Sequence, residues 1–169
     1  MIVTIPSLAN LMLDRDTATF IQTGVSISLA ACGQDRLPSM SRGLGCKIID
    51  GGRQVGVFVK PSQSAELLEN IRSTRRVANV FSLPSSNRTL QLKGCDARIV
   101  SFDVADLPVI EAHMADFLGE VLPLGMHEEL VRTLLACAAD DLVMVAYSPT
   151  AAFSQTPGPK AGEPLAAQP

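Results

Sequence analysis

The sequence has few of the residue types that build metal centres, with two histidines and four cysteines among 169 residues. No two cysteines form a Cys-x-x-Cys pair, whereas zinc sites require clustered ligands at short spacing. Three of the four cysteines lie in apolar or strand-like segments, where a free thiol behaves as a small buried hydrophobe. We therefore expect structural thiols, with disulfides or metal ligation as the alternatives, at Cys32, Cys46, Cys95 and Cys137.

The motifs of common hydrolases and nucleotide-binding enzymes are also missing. The sequence contains neither a Gly-x-Ser-x-Gly elbow nor a phosphate-binding Gly-x4-Gly-Lys-Ser/Thr loop. His127 lacks the second histidine of a zinc-protease helix, and His113 lies elsewhere in the chain. The run Gly43-Leu44-Gly45 lacks the third glycine of a dinucleotide fingerprint. We expect no metal site and place both histidines at the surface.

Long apolar segments are absent. No apolar run approaches the roughly 20 residues that span a membrane. The first residues, Met1 to Pro6, lack the basic segment and the long apolar core of a secretory signal. We therefore expect a cytoplasmic protein without membrane contact. With 47% hydrophobic and 18% charged residues, the composition fits one globular domain.

Basic residues are concentrated in the middle of an acidic chain of net charge −3. Eleven of the 14 basic residues, but only four of the 17 acidic residues, lie between Arg36 and Arg98. A cationic segment on an otherwise acidic protein favours a bound small anion over a nucleic acid, which the rest of the surface would repel. The alternative is that these cations are solvated strand ends and helix faces.

Alternating and helical patterns predict an α+β chain that is mainly β. Six strands are predicted at 25–29, 40–49, 54–60, 77–81, 89–102 and 142–147, with Gly94 as a bulge. Asp50-Gly51-Gly52 predicts a hairpin turn between the second and third strands. Helices are predicted from Ser7 to Thr23, from Gln63 to Ser73, after Asp106, and from Met126 to Cys137. We expect one domain over 1–153 and an extended, Pro/Gly-rich tail over 154–169.

Three segments give the chain a resemblance to a known family. They are Ser41-Arg42-Gly43-Leu44 after Pro38, Val57-Phe58-Val59-Lys60 at a strand end, and Asn87-Arg88-Thr89-Leu90-Gln91-Leu92-Lys93-Gly94. In that order and spacing, the chain resembles the pyridoxamine 5′-phosphate oxidase-like FMN-binding split-barrel family, as an uncharacterised subgroup. It departs from that family where Gln63-Ser64-Ala65-Glu66 replaces the Ser-Arg-Lys phosphate clamp and where Thr89 replaces a glutamine facing the ring.

The resemblance implies a six-stranded antiparallel split β-barrel with flanking helices, assembled as a homodimer that binds FMN between its subunits. It implies a flavoprotein oxidoreductase acting on an unidentified small molecule; because the chain has no tryptophan, a true pyridoxamine phosphate oxidase is not expected. A non-catalytic flavin- or haem-binding sensor and a scaffold without cofactor are the alternatives. No catalytic acid or base is nominated. The implied cofactor-binding residues are Ser41, Arg42, Gly43, Leu44, Val59, Lys60, Ser64, Arg88, Thr89 and Gln91.

Physical arguments give some of these residues a role. Arg42 and Lys60 can replace the lost clamp cations beside the amides of the helix that begins near Ser62. Strand alternation points Thr89 and Gln91 to one face, toward a cavity or solvent. Gly43 and its neighbour Gly45 leave room for a flat ring, or else they serve barrel curvature.

Overall fold

The computed structural model describes residues 10–165. In that part of the chain, nine strands and four α-helices follow one another along the sequence. The strands are β1 (Ser26–Cys32), β2 (Pro38–Arg42), β3 (Cys46–Ile49), β4 (Gln54–Val59), β5 (Val77–Ser82), β6 (Thr89–Gly94), β7 (Arg98–Ser101), β8 (Val143–Tyr147) and β9 (Pro149–Ser154). The helices are α1 (Arg15–Phe20), α2 (Ala65–Thr74), α3 (Leu107–Val121) and α4 (Glu128–Leu135).

The strands form two antiparallel sheets. One sheet has five strands in the order β2-β1-β5-β6-β9, and the other has four in the order β3-β4-β8-β7. Every ladder between named strands is antiparallel. This confirms the predicted antiparallel, mainly β class and excludes a parallel sheet with crossover helices.

The prediction of six strands is wrong in its count because two long segments each divide and because β9 was not predicted. The segment 40–49 separates into β2 and β3, and the chain passes from one sheet to the other at Gly43-Leu44-Gly45. Gly45 has a φ of 156°, a backbone angle that residues with a side chain rarely adopt. The segment 89–102 separates into β6 and β7, with the predicted irregularity at Gly94, where the register with β9 shifts.

The two ends of the chain also differ from expectation. The first helix begins at Arg15, because Asp14 caps it by accepting the Thr17 amide at 2.7 Å; the predicted start at Ser7 lies outside the described residues. At the other end, the predicted tail starts at Ser154, the last residue of β9, and the structure describes it as far as Leu165. The chain folds back so that Leu165 donates its amide to the Ala152 carbonyl at 2.9 Å.

Two apolar cores hold the sheets and helices together. The first lies between the inner faces of the sheets and also takes the apolar side of α2; it includes Ile27 and Val57. The second lies between the four-stranded sheet and helices α3 and α4; it includes Phe58 and Phe117. No helix within residues 10–165 is both long and apolar enough to cross a membrane.

The five-stranded sheet has a second face that these cores do not use, here called the outer sheet face. Strand alternation puts residues with partly or fully accessible side chains on this face. They are Met40 and Arg42 of β2, Ser26, Ser28 and Ala30 of β1, Ala78, Val80 and Ser82 of β5, and Thr89, Gln91 and Lys93 of β6.

Candidate functional site

One cavity brings together five of the ten residues expected to bind a cofactor. Its volume is about 200 Å³. The end of β2, the crossing to β3, the end of β4, the turn before α2 and helix α4 all contribute to its wall. The lining residues are Met40, Ser41, Arg42, Leu44, Lys60, Gln63, Ser64 and Leu134. Segments that lie more than 90 positions apart in the sequence therefore meet at one site.

Two cations border this cavity. The Arg42 guanidinium donates to the Ser26 hydroxyl at 3.4 Å, and Lys60 donates through Nζ to the Ala136 carbonyl at 2.9 Å. Neither cation forms an ion pair with a carboxylate of the described residues. Since a lysine ammonium has three N–H donors, Lys60 keeps two for a ligand. The cavity is suited to an anion.

The turn between β4 and α2 contributes fewer backbone donors than the sequence predicts. Ser62 donates its amide to Asp141 at 3.0 Å and its hydroxyl to the same carboxylate, which lowers the Asp141 pKa. The amides of Gln63 and Ser64 donate to backbone carbonyls of the same turn. The remaining donors here are the Ser64 hydroxyl, which makes no capping bond, and the first amides of α2.

Two expected binding residues point away from the cavity. Val59 is fully buried in the core between the sheets. A Cβ added at Gly43 would lie 2.5 Å from Ile27 Cγ2 and 2.9 Å from Val57 Cγ1. Gly43 is therefore explained by close packing where the chain changes sheets, which is the curvature alternative, and it opens no space for a ring.

The third predicted segment lies on β6, away from this cavity. Arg88 is already engaged, since its guanidinium pairs with Asp16 at 2.6 Å and lies 4.1 Å above the Phe20 ring. The Thr89 hydroxyl contacts the Ser82 hydroxyl at 2.7 Å, and both residues lie on the outer sheet face. Arg88 and Thr89 line a separate cavity of about 80 Å³.

Strand alternation in β6 is as predicted. Leu90 and Leu92 are buried at 5% and 0% exposure, and Thr89 and Gln91 are half-buried on the opposite side. Arg42 shares the face of the sheet that carries Thr89 and Gln91. The register shows this directly, because it joins Arg42 to Ser28, Ser28 to Val80, and Val80 to Gln91.

This row of residues connects the cavity around Arg42 with the predicted binding residues on β6 across one surface. Neighbouring strands lie about 4.8 Å apart, so three spacings separate Arg42 from Gln91 by roughly 14 Å. Small or medium side chains, those of Ser28 and Val80, lie between them. The row Arg42–Ser28–Val80–Gln91, together with Ser26 and Ser82, is here called the platform.

Several features were missed or misjudged from the sequence. Leu134 closes the cavity from α4, and no local pattern signals it. His113, expected at the surface, is buried at 4% exposure and stacks on Phe117 with 6.2 Å between ring centroids. Burial lowers its pKa. Of the cysteines, only Cys46 is buried; the described residues contain no group of side chains arranged to hold a metal.

Comparison with known proteins identifies the fold. No family model matches the sequence, and no curated protein matches it significantly. Solved structures do match. An epitope-tagged HupZ of Group A Streptococcus is 11% identical, with a TM-score of 0.54 over 89% of this chain and 100% of that one. An F420 reductase is 17% identical, with a TM-score of 0.54 over 83% and 98% of the two chains.

A third structure carries the family name. It is a candidate pyridoxamine 5′-phosphate oxidase from Lactobacillus delbrueckii, 14% identical, with a TM-score of 0.51 over 88% of this chain and 97% of that one. The fold is that of the pyridoxamine 5′-phosphate oxidase-like split barrels. At these identities, the likeness establishes the fold of the chain.

Proposed function

We propose that this split-barrel protein binds FMN and is an oxidoreductase. The observation that carries the proposal is the convergence of Ser41, Arg42, Leu44, Lys60 and Ser64 on one cationic cavity. The phosphate of FMN occupies this cavity, where Arg42 and Lys60 neutralise its charge and the Ser64 hydroxyl donates to it. Charge-assisted hydrogen bonds of this kind are the strong ones, so two cations replace the missing clamp.

The ring of the flavin lies on the platform. From the phosphate cavity, the ligand extends from β2 toward β6 across the row that ends at Gln91. Gln91 and Thr89 offer donors and acceptors to the polar edge of the ring, and Ser28 and Val80 form a flat floor beneath it. Arg42 already lies along this path through its bond to Ser26.

A second copy of the chain covers the bound ring. In a single chain the platform is open on the side away from the core, and Met40 beside the cavity is 70% exposed. Leu134, on the other rim, is 40% exposed. A homodimer that buries these side chains shields the ring from water. We expect an interface on the order of 2,000 Å² or more.

When bound, FMN supplies the electron and hydride transfer, as cofactors of this kind do. The chain's own contribution is to hold the phosphate through Arg42 and Lys60, to orient the ring through Gln91, and to exclude water. No side chain at the platform is needed as an acid or a base. With no tryptophan in the sequence, the substrate is not expected to be pyridoxamine phosphate.

The absorption spectrum of the purified protein, followed by an FMN titration, tests the proposal. We expect flavin bands, or tight FMN binding by the cofactor-free protein, and bleaching by a reduced nicotinamide. A Soret band would indicate that the protein binds haem and not flavin. Flavin bands that no reductant bleaches would indicate a non-catalytic binder, and the absence of any binding would leave a scaffold.

Point variants locate the site. Lys60→Ala and Arg42→Ala should each weaken FMN binding by about 1.5–3 kcal/mol, the range for hydrogen bonds to charged groups. Arg53→Ala removes an exposed cation from the β3–β4 hairpin and serves as the control. Unchanged affinity in both Arg42 and Lys60 variants would mean that the phosphate binds elsewhere. Light scattering that shows a monomer at micromolar concentration would exclude the covering subunit.

A further inference from the structure

A second cavity lies next to the phosphate cavity on the outer sheet face, because its residue Ala30 pairs with Met40 of the phosphate cavity, and it extends away from the platform. Its volume is about 410 Å³, twice that of the phosphate cavity. Its floor is apolar and comes from β1, β2 and β5, and its polar lining comes from two cations and two thiols. The lining residues are Ala30, Ala31, Cys32, Pro38, Arg76, Val77, Ala78, Lys93, Gly94 and Cys95.

The strand registers explain why these residues meet. Ala30 lies opposite Ala78, and Ala78 lies opposite Lys93. Beyond these paired residues, the cavity also takes in Cys32 at the end of β1, Arg76 just before β5 and Cys95 just after β6. Ala30, Ala78 and Lys93 lie on the outer sheet face. The small alanine side chains therefore leave a depression in the sheet. Arg76, which precedes β5, and Lys93 of β6 lie at its edges.

The charges at this cavity have one sign. No acidic residue lines it, and Arg76 makes no ion pair with any carboxylate of residues 10–165. Lys93 lies 5.1 Å above the Phe153 ring, a contact that leaves its charge uncompensated by an acid. The nearest acid in sequence, Asp96, is engaged, because its carboxylate accepts the Ser148 amide at 2.7 Å. Two unpaired cations beside an apolar floor are complementary to an anion with an apolar body.

The two thiols at the cavity are separate. Cys32 ends β1 and Cys95 follows β6, and β5 lies between these two strands, which are therefore two strand spacings or roughly 10 Å apart. A disulfide requires its Cα atoms within about 7 Å, so the two cysteines do not bridge within one chain. Both are exposed. They therefore report on the occupancy of the cavity.

We propose that this cavity is a binding site for a small carboxylate with an apolar body, whose carboxylate is held by Arg76 and Lys93 and whose body packs on Ala30 and Ala78. The site is independent of FMN, since it shares no residue with the phosphate cavity or the platform. If FMN binds as proposed above, the ligand lies one pleat from the ring, in the position of a substrate or an effector.

Calorimetric titration of the full chain with sodium octanoate tests the site, with octanamide as the uncharged probe of the same length. Octanoate should bind at least about tenfold more tightly than octanamide, the low end for a charge-assisted hydrogen bond. The double variant Arg76→Ala/Lys93→Ala should remove that preference. The double variant Arg15→Ala/Arg53→Ala removes the same charge elsewhere and should preserve it. Ala78→Trp, which fills the floor, should abolish binding of both probes.

Thiol labelling supplies a second readout within the same molecule. Saturating octanoate should slow the reaction of Cys32 and Cys95 with a maleimide, measured by peptide mass spectrometry. Cys137, which is half-buried and lies outside the cavity, should react at an unchanged rate. Absence of octanoate binding, equal affinity for both probes, or equal slowing of all three thiols would overturn the proposal. Because FMN affinity is measured separately with the Arg42 and Lys60 variants, failure here leaves the flavin site untouched.

Discussion

The substitution Gly43→Ala tests how the chain passes between the two sheets beside the cavity that Arg42 and Lys60 line. The added Cβ would lie 2.5 Å from Ile27 Cγ2, 2.9 Å from Ile27 Cβ and 2.9 Å from Val57 Cγ1. Both neighbours are β-branched, with 1% and 0% exposure, so neither can rotate away without losing its own packing. Overpacking of this kind costs about 1–3 kcal/mol.

Thermal and urea unfolding measure this cost. For a chain of this size, about 2–4 °C of Tm correspond to each kcal/mol, so Gly43→Ala should lower the Tm by roughly 2–12 °C. Gly119→Ala is the matched control, because Gly119 lies inside α3 and its added Cβ meets nothing within 4 Å. That control should gain about 0.5–1 kcal/mol, since glycine is a poor helix former. Wild-type stability in Gly43→Ala would refute the packing explanation.

Three further outcomes follow from buried or paired groups. Because burial lowers the pKa of His113 in the folded protein, the unfolded chain takes up a proton at this residue first as the pH falls below about 6.5. The free energy of unfolding, measured by urea titrations from about pH 7 to 5, should therefore decrease as the pH falls. The decrease should be smaller in His113→Phe. The Tyr147 hydroxyl and the Asn79 amide are buried beside each other without a hydrogen bond of normal geometry in the described residues, so Tyr147→Phe should stabilise the fold by about 1 kcal/mol. A loss of stability would show that the two side chains do form a hydrogen bond. Asp141→Asn removes a negative charge beside Lys60 and should raise FMN affinity several-fold, more at low salt; weaker binding would contradict the placement of the phosphate.

Local patterns were sufficient for the hairpin and for the faces of the strands. Asp50-Gly51-Gly52 forms the predicted turn between β3 and β4, with positive φ at both glycines, and Ile49 pairs with Gln54. Alternation along β6 correctly separated its buried leucines from Thr89 and Gln91. Both features depend on residues close in sequence, so the sequence determines them directly.

Breaks between strands were harder to predict, because a segment can keep its period while changing sheets. The residues on either side of Leu44 continue an alternating pattern, and only the contacts of Gly43 with Ile27 and Val57 show why the chain bends. The strand β9 was missed for a related reason. Its pairing with β6 and the return of the chain to Ala152 are long-range contacts, which no local pattern indicates.

The site was predictable only as a set of candidates. Arg42 and Lys60 were nominated through the family resemblance and a net charge argument, and the structure places both at one cavity. Leu134, which lines the cavity, and Asp141, which binds Ser62 in the turn beside it, come from segments that nothing in the local sequence joins to Lys60. Arg88 shows the converse: its position in the motif suggested a ligand contact, but its charge is paired with Asp16.

The outer sheet face links the two proposed sites and also allows them to be distinguished. One end carries Arg42 and the platform, and the other carries Arg76 and Lys93 above a floor of alanines. Lys93 lies three strand spacings and one two-residue step from Arg42, a separation of roughly 16 Å. This distance exceeds the Debye length of about 8 Å at physiological salt. Removing the cations at one end should therefore leave anion affinity at the other nearly unchanged. If Arg76→Ala weakened FMN as much as Arg42→Ala does, one extended ligand would occupy the whole face, and the two sites would have to be merged.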